Sequence, residues 1–157
     1  MDLLTCITAR SGTAGQHLPG EALFDLPRDP VWCRLDQLPG TPAPGQATLA
    51  LLPRAMRRVA LAGGQFGELF ADPADARLDA GCVRLPLLVA AQLLAHAREP
   101  SGLLIHGRAG AWLAIDAAEL ARVVLPMRVL FDPDQPLDSV AGRPAPARPL
   151  SPGEAPA

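Results

Sequence analysis

The stretch PLLVAAQLLAHAREPSGLLIHGRAGAWLAIDAAELARVVL, residues 86–125, carries three local patterns in succession. Over 86–98 leucine, valine and alanine run without an internal proline. Pro86 is tolerated in a first helical turn, His96 and Arg98 suit the negative end of the helix dipole, and Pro100 stops the chain, so a helix is expected. Next, 103–106 and 111–115 flank Gly107-Arg108-Ala109-Gly110, the pattern of a β-hairpin with a four-residue loop. Asp116 then stands as an N-cap with Glu119 in capping-box position, which predicts a second helix running to about Leu125, before Pro126. Helix, hairpin and helix in this order favour an α+β domain over an all-helical one.

The rest of the chain fits around this unit. Residues 3–8, LLTCIT, suit an opening strand, and Ser11 to Gly15 supply a loop. From Pro19 to Pro53 prolines recur so closely that no long helix survives, although short strands fit at 31–35 and 48–52. Residues 58–62 and 66–70 read as a hairpin around Gly63-Gly64, and 127–131 as a closing strand. The fold expected is a mostly antiparallel sheet of about five to seven short strands with two helices packed on one face. A single α+β domain is placed at 1–138, with a disordered proline- and alanine-rich tail at 139–157.

Composition narrows the function classes. The 157 residues are 49% hydrophobic and 19% charged, enough apolar material for one core. There is no lysine, asparagine or tyrosine, and all 14 basic residues are arginines. This bias is what GC-rich codons produce, and it points to a bacterium or phage. Without lysine there is no Walker phosphate loop, Schiff base or kinase-type lysine. A net charge of −2 disfavours nucleic acid as a partner. Cys6, Cys33 and Cys82 are widely spaced and form no CxxC pair, which fits reduced thiols in a cytosol. The start of the chain has no basic leader, and the apolar run at 85–95 is too short to span a bilayer, which takes about 20 residues. A cytoplasmic location is expected.

Chemical motifs are sparse. Cys6 and Arg10 stand too close together for the intervening loop to wrap a phosphate. Gly63-Gly64-Gln65-Phe66-Gly67 lacks the GxGxxG order, the acids at Asp132, Asp134 and Asp138 lack a calcium-loop glycine, and no serine sits in a GxSxG elbow. Cys82, His96 and His106 could serve a small enzyme or bind a metal, but they contain no i, i+4 ligand pair. No catalytic residue, metal site or cofactor is therefore assigned. Arg54, Arg57 and Arg58 form a basic patch suited to phosphate or carboxylate, and equally to a solvated surface facing the chain's 16 acids.

One feature is positive. The helix at 86–98 has apolar residues on two sides, with Leu85, Leu88, Val89 and Leu93 on one and Leu87, Ala91 and Leu94 on the other. Such a helix is either sunk in a core or keeps one face for a partner. The leading expectation is a non-enzymatic protein–protein interaction module, such as an adaptor, chaperone, assembly factor or immunity-type binder. Its binding residues would be Leu87, Ala91 and Leu94, and its partner another protein or a second copy. The alternatives are a small enzyme or metal-binding protein using Cys82, His96 or His106, and a nucleic-acid binder using the arginine patch.

Overall fold

A computed structural model of the chain describes residues 1–11, 14–35, 49, 52–61, 64–78 and 82–134, and in it both expected hairpins form. Strands β3 (Arg58–Leu61) and β4 (Gly64–Phe70) are antiparallel, with Val59 opposite Phe66. Strands β6 (Gly102–His106) and β7 (Trp112–Ile115) are antiparallel, with His106 opposite Trp112. In their connecting loop Gly107 N donates to the Ala111 carbonyl and Ala109 adopts a left-handed φ of 55°. Helix α4 (Ala117–Val124) starts where Asp116 Oδ1 accepts from Glu119 N at 2.8 Å. The Glu119 carboxylate reaches across to accept from Gly20 N at 3.0 Å, which ties α4 to the 3-10 helix Gly20–Asp25.

With β1 (Gly15–His17), β2 (Pro30–Cys33) and β5 (Val83–Pro86), the described residues build a seven-stranded sheet in the order β1-β7-β6-β4-β2-β5, with β3 also paired to β4. It is an α+β fold on a mixed sheet. Four pairings are antiparallel, while β4–β6 and β1–β7 are parallel. Both parallel pairs join strands distant in the sequence. They need crossovers, which local hairpin patterns do not encode.

One face of the sheet is covered by helices. Leu69, Leu103, Ile105, Leu113 and Ile115 pack with Leu3 and Ile7 from α1 (Leu3–Ser11), most of α3 (Leu87–Ala95), and Leu120 and Val124 from α4. Gly67 lets α3 come close, since a Cβ there would lie 2.4 Å from Leu94 Cδ2.

Three expectations are corrected. Residues 3–8 are helical, not a strand. Asp2 Oδ1 accepts from Thr5 N at 2.7 Å, Asp29 Oδ2 accepts from Leu3 N at 2.7 Å, and Leu3, Cys6 and Ile7 share the buried stripe. Residues 127–131 form no strand, because the buried Gln92 side chain does a neighbouring strand's work. Its Nε2 donates to the Arg128 carbonyl at 2.7 Å, and its Oε1 accepts from Leu130 N at 2.8 Å. The third concerns α3, which spans nine residues with Pro86 outside as its cap. Leu87, Ala91 and Leu94 are 2%, 0% and 0% exposed, so the helix keeps no free apolar face. The sheet at Gly67, Met56 and α4 surround it. The strand expected at 48–52 falls mostly outside the described residues, although Leu52 itself opens the single turn α2 (Leu52–Ala55). The boundary at 138 and the tail at 139–157 also lie outside them.

Candidate functional site

Alternation along each strand sends a second set of side chains to the opposite face, called the open face because no helix among the described residues packs on it. Register aligns them in one row: Trp112 on β7, His106 on β6, Phe70 on β4, Trp32 on β2 and Arg84 on β5. Trp112 lies over its β1 neighbour, and a Cβ on Gly15 would fall 1.6 Å from the indole. His17 meets Trp112 and Phe66 edge-on. Both tryptophans of the chain and two of its four phenylalanines therefore gather on this open face.

The chemically dense point is Glu68. It is a carboxylate in the middle of β4 whose side chain is 7% exposed. Arg34 Nη2 donates to its Oε1 at 2.8 Å, and His106 Nε2 donates to its Oε2 at 3.0 Å. Burial pushes the Glu68 carboxyl up, but the hydrogen bonds and charges of His106 and Arg34 outweigh this and bring it down to about 2. Arg34 Nε is buried and finds no acceptor among the described residues.

Residues 71–78 fold back beside this cluster. The backbone N–H of Ala71 donates to the His106 carbonyl at 3.0 Å, Arg108 Nε donates to Asp72 at 3.0 Å, and Leu78 is buried with Trp32, Phe70 and Cys82. Arg77 donates to Asp75 at 2.8 and 3.0 Å, holding that carboxyl below its usual value despite its partial burial. Its guanidinium carbon sits 4.8 Å from the Phe70 ring centre, and its Nη1 is 3.4 Å from His106 Nδ1. The imidazole itself stacks on Phe70 with ring centres 4.9 Å apart. Both ring nitrogens are thus engaged within the chain.

No family model, curated protein or solved structure matches this chain.

The structure separates the residues singled out in the sequence. His106 joins the cluster, whereas His96 is exposed at the end of α3, on the helix side. Cys82 is buried beside Phe70 and Trp32. Burial, with the Cys82 thiol nearby, pushes the Cys33 thiol up to about 12. No group of three metal-binding side chains occurs among the described residues. Arg54 and Arg57 are exposed, but Arg58 is half-buried and its Nε donates to Ser101 Oγ at 2.7 Å, so the basic patch is narrower than its spacing implies. Glu68, Arg34 and Arg77 were missed. The available signal was a lone acid inside the apolar run at 66–70, since a strand interior tolerates a carboxylate only where cations meet it.

Among the described residues no helix is long and apolar enough to cross a membrane. Among the described residues the large apolar side chains left exposed, apart from Met1, are Phe24, Leu125, Val129 and Leu130, at 45–50%. Phe24 belongs to the 3-10 helix that packs on α4, Leu125 ends α4, and Val129 and Leu130 lie in the segment pinned by Gln92 to α3.

Proposed function

We propose that this chain is a non-enzymatic protein–protein interaction module that associates through its helical layer, by way of Phe24, Leu125, Val129 and Leu130. The observation carrying this reading is the exposure of those four side chains, all contributed by the layer of helices and the segment bound to it. Association by strand addition has less support. The sheet has its edges at β1, three residues long, at β5, four residues ending on Pro86, and at β3, four residues paired to β4, all short templates for another strand.

A second copy of this chain is the favoured partner. The adjoining surface carries both signs, with Arg122 donating to Glu21 at 2.6 and 2.7 Å and to Glu119 at 2.9 Å, so two-fold related copies can oppose unlike charges. A net charge of −2 adds little repulsion between copies. An enzymatic reading through His106 is less well supported, because both of its ring nitrogens are already bonded within the chain.

The test is mass in solution, by sedimentation equilibrium across a range of concentrations, for the chain and for the Leu125→Glu/Leu130→Glu variant. The expected result is a dimer that the substitutions convert to a folded monomer. A parent that stays monomeric at hundreds of micromolar, or a variant that still dimerises, overturns the reading.

A further inference from the structure

We propose that two copies of this chain meet backbone to backbone at Val129, each donating its amide to the other's carbonyl across a two-fold axis. The inference rests on the reading that the helical layer self-associates, and it fixes the register of that contact. Residues 127–131 are held at three points. Met127 and Phe131 pack against the core at the two ends, and between them the Gln92 amide bonds to the Arg128 carbonyl at 2.7 Å and to the Leu130 N–H at 2.8 Å. One side chain meets the carbonyl of a residue and the N–H of the next but one where both point to the same edge, as in an extended chain. The Val129 N–H and carbonyl therefore point to the opposite edge. Neither has a hydrogen-bond partner among the described residues, and residues 128–130 are all exposed.

A residue that shows a donor and an acceptor on one edge is self-complementary. Two antiparallel copies related by a two-fold axis satisfy both groups at once, in the manner of a hydrogen-bonded pair in an antiparallel ladder. Gln92 is fully buried and holds the segment in place beforehand, so association orders little new chain. In this register Leu130 stands opposite Arg128 of the second copy. An apolar side chain then meets the methylene stem of an arginine, and the two Arg128 guanidiniums are not set face to face. The reciprocal bonds set register and orientation, while Phe24, Leu125, Val129 and Leu130 supply the apolar area. The contact lies outside the sheet and leaves its edge strands unused.

The experiment combines sedimentation equilibrium of the full chain, Val129→Ala and Val129→Pro with amide hydrogen exchange of the parent above and below its dissociation constant. Val129→Pro removes the N–H but keeps apolar bulk, and an extended Arg128 suits the position before a proline. It should weaken the dimer about tenfold more than Val129→Ala does. In the parent, the Val129 amide should exchange about tenfold more slowly in the dimer than in the monomer. The Leu130 amide, bonded to Gln92 in both states, should not change. The exchange readout remains if the proline variant does not fold. A parent that dimerises with equal Val129 exchange in both states, or a Val129→Pro dimer as strong as that of Val129→Ala, overturns the pairing and leaves the self-association standing. A parent that stays monomeric overturns both.

Discussion

On the covered face Leu69, Leu103, Ile105, Leu113 and Ile115 meet the helices through apolar contact, whereas on the open face of the same strands Glu68 is buried between Arg34 and His106. Apolar contacts are non-directional, so the covered face tolerates changes that conserve volume and fails when charge is introduced. A buried carboxylate depends on specific donors, and its contribution is lost when the carboxylate itself takes up a proton. The covered face rests on broad apolar contact, whereas the other face adds to two smaller apolar clusters a carboxylate whose contribution is lost in acid.

The largest effect should come from breaking the covered face. Leu87→Glu combined with Leu94→Glu places two carboxylates inside the apolar cluster, and we expect the protein to be unfolded by circular dichroism at neutral pH. A folded double variant would mean that α3 can leave the core.

The open face should give a smaller effect, confined to acid. The Glu68 carboxyl goes from an ordinary value of 4.5 to about 2 in the folded chain, so it stabilises the fold fully above about pH 4.5. That contribution, at most about 3 kcal/mol, is lost as the pH falls through about 2. Urea unfolding of the parent between pH 6 and pH 2 should show this loss. Glu68→Gln should be less stable at pH 6 and should have a flatter acid limb; an unchanged limb would place the acid sensitivity elsewhere.

The smallest expected change belongs to the turn where β6 passes into β7. Ala109 holds a φ of 55°, which costs an L-residue about 1 kcal/mol and a glycine almost nothing. Ala109→Gly should therefore raise stability by up to about 1 kcal/mol, less the extra freedom it gives the unfolded chain, as read from the midpoint of thermal unfolding. A lower midpoint would show that the turn carries no strain.

Elements whose cause is local were legible in the sequence. The two hairpins, the cap at Asp116 and the helix after Pro86 follow from turn residues, capping chemistry and periodicity, all acting within a few positions. Opaque elements depended on distant partners. Thr5, Ile7 and Thr8 argue for a strand by propensity, yet the cap at Asp2, the bond from Leu3 to Asp29 and a shared buried face make those residues a helix. Met127 to Phe131 resembles a strand until Gln92, far earlier in the chain, takes up its backbone groups.

The candidate site divides in the same way. Sequence by itself determined that His106 ends a strand, that no lysine chemistry is possible, and that a helix apolar on two sides must be covered by something. Only the tertiary structure decided what covers it, and it chose the chain's own sheet and helices, burying Leu87, Ala91 and Leu94. Tertiary structure also brought Arg34, Glu68, Arg77 and His106 together through the β2–β4 and parallel β4–β6 pairings and residues 71–78, which follow β4. Local chemistry fixes an element from its own residues, but which elements become neighbours depends on how the whole chain buries its apolar surface. A charge cluster drawn from two strands and the segments that follow β2 and β4 exists only once that burial is complete.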